Sequence, residues 1–569
     1  MRTLDWLVLV GFVVYVVAYG VWKGRRSGDL DAFLLADRGM RWHSVALSIM
    51  ATQASAITFL STPGQAYADG MRFVQFYLGL PVAMVILSIT AVPIYRRLKV
   101  YTAYEYLETR FDLKTRSLTG FLFLVQRGLA AGLTIYAPSL IFSLVMGWDL
   151  TTVIVLLGGL VTLYTALGGS KAVDHTNVQQ MLVITFGMLV AFFTILALLP
   201  ADVSFTEAVR VAGKSGRLNA IDFSFDLQNR YNFWSGLFGG FFVALSYFGT
   251  DQSQVQRYLT GQSIAQSRLG LLFNGLIKVP MQFFILFLGA LVFVFYQFAP
   301  QPVFFNPGET RKVLSSQYAE DFRAAEARHA ETAAARQEAT RALVGAMRAG
   351  DERAILQAEQ NLEAAQGAVA ARRGEAVALM RANGQANTND TNYVFLNFVI
   401  HHLPAGVVGL VIAAIFFASM SSTASALHAL ASTTVVDVYR RLVKREASER
   451  HYVIFSKLAT LVWGCFAVGF AASAGNLGSL VEVVNQLGSL FYGTILGVFL
   501  LAFYFKRVGG TAAFVAALVG EAAVLYCARY TSIAFLWYNV VGCLVVILAA
   551  LAVNPFVRKE AGGRKSEAG

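Results

Sequence analysis

The chain has 569 residues, is 56% hydrophobic and carries only 14% charged residues, against about 25% charge in a soluble domain. Apolar runs of bilayer-crossing length recur along most of it, which excludes a soluble globular domain and points to an all-α polytopic membrane protein. The net charge of +12 then belongs to cytoplasmic loops rather than to nucleic-acid binding.

Thirteen spans are expected, at roughly 4–24, 44–66, 71–94, 115–146, 150–168, 177–199, 233–256, 270–298, 406–438, 452–475, 479–505, 510–528 and 532–554. The first follows Asp5 rather than a basic stretch, and Lys23, Arg25 and Arg26 come after it, so it reads as a retained helix and not a cleaved signal peptide. The basic positions Lys23/Arg25/Arg26, Arg96/Arg97/Lys99 with Lys114/Arg116, Lys171, Arg257, Arg440/Arg441/Lys444/Arg445, Lys506/Arg507 and Arg558/Lys559 alternate sides. That side is cytoplasmic, which puts the N-terminus outside and the C-terminus inside and requires an odd number of spans. Cys465, Cys527 and Cys543 all fall in spans, with no disulfide framework and no metal-ligand spacing.

Three spans carry chemistry that hydrocarbon does not welcome. Span 2 (LSIMATQASAITFLSTPGQAY, 47–67) has small and polar residues in its middle and is expected to close at Pro63-Gly64. Span 7 (GGFFVALSYFGTDQSQVQR, 239–257) is interrupted at Gly249, Thr250 and Asp251. Span 9 places Ser421, Ser422, Thr423 and Ser425 at mid-depth, where each hydroxyl needs a partner. Broken helices at matching places in two halves mark a transporter binding site, with freed carbonyls suited to a cation. Spans 2–6 and 7–11 then form two five-helix repeats of opposite topology. Asp251 is the strongest single residue, because a carboxylate at membrane depth must be paired or hydrated. Read blandly, it is a helix cap or a salt-bridge partner near Arg257. Lys278 in span 8 either snorkels to the inner face or reaches a polar cavity. Arg127 in span 4 reads as structural.

Residues 308–392 are rich in Ala, Glu, Gln and Arg, and Ala349-Gly350-Asp351 divides them. They are expected to form an extracytoplasmic helical hairpin between spans 8 and 9: a spacer, an arm that docks a protein partner, or a lid. No Ser-His or paired-Asp constellation suggests an enzyme: His428 lacks an orienting acid.

Three motifs in order resemble the sodium:solute symporter family: GGSKAVDHTNVQQ (168–180), SYFGTDQSQVQRYLTGQS (246–263) and FFASMSSTASALHALASTTVVDVYRR (416–441). The resemblance covers about residues 1–300 and 395–555. It implies an inverted five-helix repeat, organised as 1–40 (extra helix and loop), 41–200 (first repeat), 201–505 (second repeat, interrupted by the hairpin), 506–555 (two further helices) and 556–569 (cytoplasmic basic tail). It implies a multi-pass plasma (inner) membrane protein, expected as a monomer. The activity implied is sodium-coupled symport of a small solute by alternating access. It further implies a sodium site at the carbonyls of Ala51, Ala54 and Ala418 and the hydroxyls of Ser421 and Ser422, all oxygens, as a hard cation needs. Some members hold a second sodium with an acid on span 6 and another hydroxyl pair on span 9. Those positions are Asn177, Ala424 and Ser425 here, which favours one sodium per cycle, although Asp174 lies on the same helical face as Asn177. The substrate-lining positions carried over are Thr58, Gln75, Phe76, Tyr77, Asp251, Lys278 and Asn485. Lys278 and Asn485 keep the character seen in sugar carriers, and Tyr77 departs from it. Asp251 would repel an anion unless paired, for instance with Lys278, so a sugar, polyol or zwitterion is favoured over an anion. A sensor-like protein whose hairpin docks a partner is the alternative.

Overall fold

A computed structural model describes residues 2–24, 30–385, 388–474 and 479–566. Of the basic positions read from the sequence, Arg25, Arg26 and the side chains of Lys23, Lys171, Arg558 and Lys559 lie outside the described residues. The fold is helical nearly throughout, and among the described residues the one strand-like pairing is an isolated bridge between Met40 and Gly261.

Among the described residues eleven helices are long and apolar enough to cross a membrane, and a bent pair, Trp42–Gln53 and Ala56–Asp69, makes a twelfth. The thirteenth span expected from the sequence is span 7. It falls below crossing length because it is cut into a helix ending at Gly249 and another at Gln252–Leu259. Spans 5 and 6 are helical without interruption from Leu150 to Leu198. Yet the Tyr164 hydroxyl lies 2.6 Å from Thr176 Oγ1. Twelve residues of straight helix would hold these Cα atoms about 18 Å apart, so the chain bends sharply between them and crosses twice.

Span 2 bends by 60° at Ala54–Ser55. Its outer half runs through Pro63 and Gly64 and closes at Gly70 (φ +77°). Pro63-Gly64 is therefore inside the helix and does not end it. Gly64 is small because the Thr391 carbonyl occupies the place of a side chain. Span 8 (Ile264–Phe298) runs parallel to span 2, with Gly270 against Trp42 and Val45 and Gly289 against Pro63. Small residues at these crossings let the backbones close in.

Span 9 (Val407–Thr433, continued by a π-helical stretch Thr434–Val443) is the central post, packed on spans 1, 4 and 6. Buried Asp5 anchors its outer start: the N–H groups of Gly406 (2.6 Å) and Gly409 (3.1 Å) donate to Asp5 Oδ1. A carboxylate at a helix N-terminus satisfies donors that the helix itself cannot.

The inserted segment is a hairpin of helices Ala319–Ala349 and Glu352–Ala382, turned by Gly350 (φ +72°) and capped by Asp351. It lies against the molecule's own surface. Arg336 donates to the Tyr296 carbonyl (2.5 Å) and Gln301 (2.6 Å), and Arg348 and Glu359 pair with Glu207 and Lys214 at 2.6 Å each.

Candidate functional site

The two breaks face a central cavity of about 120 Å³. Of the substrate positions expected from the sequence, Thr58, Phe76, Tyr77 and Asn485 line it. Gln75, Asp251 and Lys278 do not. The Gln75 amide is spent holding the loop that leads into span 7: it donates to the Tyr231 carbonyl (2.9 Å) and accepts from the Asp222 N–H (2.9 Å). In that loop the Ser224 hydroxyl and N–H hold the Asp222 carboxyl below its ordinary range. Lys278 is fully buried behind the cavity wall, its Nζ 5.8 Å from the centre of the Tyr77 ring, within cation–π range.

Asp251 does not pair with Lys278. Its carboxylate bonds Arg127 Nη2, accepts from Tyr492 OH (3.2 Å), and caps the helix Gln252–Leu259 through Ser253 N (2.9 Å) and Oγ (2.7 Å). A buried acid with a guanidinium and three further donors has its charge met. Beyond the structural part expected of it, Arg127 lines the cavity, over the Tyr247 ring at 5.5 Å. Its Nε and the Oε1 atoms of Gln53 and Gln126 are buried without a partner, and all three residues line the cavity. Arg127 sits mid-span with small residues following it, Gly128, Ala130 and Ala131. That pattern is the signal a sequence reading could have used.

The bend of span 2 interrupts its helical hydrogen bonding beside span 9. Ser55 N–H turns to the Gln53 carbonyl (3.1 Å) instead of continuing the helix to Ala51, and Ala54 sits at the corner (ψ 82°). Span 9 passes alongside, and Thr52 Oγ1 lies 3.0 Å from Ser425 Oγ. Ser422 lines the cavity and donates to the Ala418 carbonyl (3.0 Å), and Ser421 donates to Asn177 Oδ1 (2.5 Å). Both hydroxyl oxygens keep lone pairs for a cation. The bend and the hydroxyl run therefore bring five candidate oxygens onto adjoining buried segments, next to the cavity.

The second candidate region is fully engaged by protein. Asn177 Nδ2 donates to Ser48 Oγ (3.1 Å), which donates to Asp174 Oδ1 (2.7 Å), and Arg257 Nη1 reaches the same oxygen at 2.6 Å. Asp174 and Arg257 are both 0% exposed.

Latches close the cavity on both sides. Outside, Asn392 accepts from Ser61 (2.7 Å), Ser479 donates to Gln65 (3.0 Å) and Arg230 pairs with Glu482 (2.6 Å). Inside, Tyr95 and Tyr104 donate to the carbonyls of Gly249 (2.8 Å) and Thr250 (2.9 Å) at the break of span 7.

The sequence model of the sodium:solute symporter family matches residues 33–326 and 368–520, more than three quarters of the chain. The chain belongs to the sodium:solute symporter family. The match passes over the outer part of the hairpin. Relatives include the sodium/sialic acid symporter of Proteus mirabilis (26% identical, covering 97% of this chain and 95% of that one). The sodium-dependent multivitamin transporter of Oryctolagus cuniculus is 27% identical over 91% and 69%. The sodium-coupled monocarboxylate transporter 1 of Homo sapiens is 27% identical over 92% and 72%. Among solved structures, a substrate-bound, outward-open sodium-coupled sialic acid symporter superposes with a TM-score of 0.75 at 23% identity, covering 98% of both chains, so the fold is shared. As a family member this protein is a sodium-coupled symporter of the plasma membrane and not an enzyme.

Proposed function

We propose that this symporter imports a small polar solute by alternating access, moving one sodium per cycle bound between the bend of span 2 and span 9. The observation that carries the reading is the approach of span 9 to the bend of span 2, where Thr52 Oγ1 lies 3.0 Å from Ser425 Oγ and Ser55 and Ser422 line the same cavity. Sodium at the carbonyls of Ala51, Ala54 and Ala418 and the hydroxyls of Ser421 and Ser422 would hold spans 2 and 9 together. That stabilises the half of the cavity built by Thr58, Phe76 and Tyr77, so each ligand raises the other's affinity.

The cavity's unsatisfied groups suggest the solute. Arg127 Nε is a charged donor, and the Oε1 atoms of Gln53 and Gln126 are acceptors. A solute with a carboxylate at one end and hydroxyl or N–H donors at the other satisfies all three. Because Arg127 neutralises Asp251, an acidic group is no longer disfavoured, and relatives named for sialic acid and monocarboxylates support the same reading. Zwitterions and hydroxy acids rank first, neutral sugars and polyols second.

Proteoliposomes with an imposed sodium gradient test it against a panel of labelled hydroxy acids, amino acids, sugars and polyols. Expected is sodium-driven uptake of a carboxylate-bearing solute that fails in folded Arg127→Gln protein. Uptake of a neutral sugar with an unchanged KM in Arg127→Gln would overturn the assignment.

A further inference from the structure

The loop that leads into span 7 reads IDFSFDLQ over 221–228, apolar and polar by turns. In an extended chain such alternation makes two faces. The apolar face stands off the protein: Phe223 and Phe225 are 69% and 68% exposed, with Ile221 and Leu227 exposed beside them. The loop is nonetheless held in one shape. The Phe233 N–H donates to the Asp222 carbonyl (2.7 Å), Trp234 Nε1 to the Phe223 carbonyl (3.1 Å) and Asn232 Nδ2 to the Asp226 carbonyl (2.7 Å). A fixed row of exposed apolar side chains marks a contact surface.

Its neighbours fix its depth. The Leu227 carbonyl accepts from the Ala534 N–H (2.8 Å), just before the crossing segment Leu536–Val557 of span 13. The Phe225 ring lies 6.4 Å from that of Trp537, in the first turn of the same segment, and 6.2 Å from that of Trp234. Trp234 in turn stacks at 6.4 Å on Phe238, which is exposed about one turn further into span 7. The row is therefore continuous with the lipid-facing surface at the outer ends of spans 7 and 13. Tyr526 and Tyr530 are exposed at the outer end of span 12, and Trp and Tyr gather at this level of a bilayer.

We infer that residues 221–227 form an aromatic ledge seated in the outer leaflet, with the boundary between lipid headgroups and acyl chains as its partner. Phe223, Phe225 and Leu227 enter that boundary, where an apolar ring is covered and the chain's polar groups still reach water. The polar face of the loop has other work. The Asp222 N–H donates to Gln75 (2.9 Å), and Arg230, three residues beyond Leu227, pairs with Glu482 of span 11 (2.6 Å). The ledge thus ties one arm of the outer latch to the bilayer.

Alternation makes the ledge testable residue by residue. Full-length protein carrying Cys465→Ala, Cys527→Ala and Cys543→Ala receives one further substitution at a time: Phe223→Cys, Ser224→Cys, Phe225→Cys, Leu227→Cys or Gln228→Cys. Each new thiol takes a fluorescent label, and the protein is placed in phosphatidylcholine nanodiscs. The label is quenched either by a nitroxide on the upper acyl chain or by aqueous iodide. The two quenchers are expected to rank the sites in opposite order, with 223, 225 and 227 reached by the nitroxide and 224 and 228 by iodide. Iodide quenching at all five sites would put the loop in water and overturn the inference. Shielding of 223, 225 and 227 from both quenchers would show a second copy of the chain on the ledge, and nitroxide quenching at all five would abolish its two faces; either result also overturns it. Should a labelled variant fold poorly, hydroxyl-radical oxidation of the unsubstituted protein in the same nanodiscs gives the reading: Phe223 and Phe225 are expected to be protected, and ready oxidation of both would overturn the inference.

Discussion

Two buried Asp–Arg pairs hang on one short helix, Gln252–Leu259, and they behave as opposites. At its start Asp251 caps the helix and reaches Arg127 on span 4; near its end Arg257 reaches Asp174 on span 6. The first pair borders the cavity, and its arginine still has a free donor to offer a solute. The second is fully buried, with Ser48 donating to Asp174 and Arg257 also reaching Gln256, and neither of its side chains lines the cavity. Ion-pair chemistry is the same in both places. Access to water decides whether it serves recognition or holds helices together.

Breaking the sealed pair gives the largest effect. In sodium-free buffer, Arg257→Met takes the guanidinium away from Asp174 in a fully buried site and is expected to cost about 3–5 kcal/mol. Asp174→Leu alone strands the guanidinium at a similar cost. Asp174→Leu with Arg257→Met is expected to recover most of the loss, because apolar replacements of both partners remove the need for pairing. Thermal unfolding of the four proteins closes the cycle. A double variant as unstable as the sum of the singles would show that the two side chains act independently.

Breaking the cavity pair should cost less. In Arg127→Gln, Asp251 keeps the Ser253 N–H and hydroxyl and Tyr492, and cavity water can reach the freed oxygen. A loss of about 1.5–3 kcal/mol is expected, the range for one charged hydrogen bond, together with loss of solute uptake. Equal losses from Arg127→Gln and Arg257→Met would abolish the distinction between a wet and a dry pair.

Much of this was legible in the sequence, and the illegible part has a common cause. The breaks at Ala54–Ser55 and Gly249–Asp251 announce themselves locally, because polar and small residues interrupt apolar runs. The run from Ser421 to Ser425 is visible for the same reason, and the charge alternation of the loops follows the span count. What the sequence hides is pairing across the fold. Asp251 had two arginines to choose from, 124 residues before it and 6 after it, and linear proximity favoured the wrong one. Gln75 and Lys278 carry the polarity of binding residues, but one is spent on the loop around Asp222 and the other sits behind Tyr77. Only packing reveals which face of a helix meets the cavity. Asp5 shows the same limit from the other side: nothing near it in the chain tells that it caps a helix 401 residues away.

The sodium locus sets a smaller lever next to the cavity pair. Ser422 touches the cavity and span 9 but neither arginine pair. Ser422→Ala removes one of five proposed oxygens and is expected to raise the sodium concentration for half-maximal uptake about ten-fold, the equivalent of about 1.4 kcal/mol. Stability in sodium-free buffer should hardly change, because the hydroxyl donates only to carbonyls of its own helix. Sodium-dependence curves for uptake check this, and an unchanged half-saturation would separate Ser422 from the ion.

The smallest effect keeps acid sensitivity from being blamed on either membrane pair. His329 lies in the outer hairpin, where burial and then the neighbouring Arg336 and Arg373 push it down from 6.5 to about 4. The docked hairpin therefore holds this imidazole neutral where the loosened one would take up a proton. Between pH 6.5 and about 4 the undocked state binds more protons, so hairpin stability rises with pH across that window. It is complete above it and is lost on acidification. Glu207, held down to about 2 by Arg348 from its ordinary 4.5, adds a change of the same sign only at the acid end of that window, where the released carboxyl protonates. Protection over 319–382, taken as the intrinsic exchange rate at each pH divided by the observed one, is expected to fall from pH 7 to pH 5 in wild type and to stay level in His329→Gln. A fall that persists in His329→Gln would place the acid-sensitive group elsewhere.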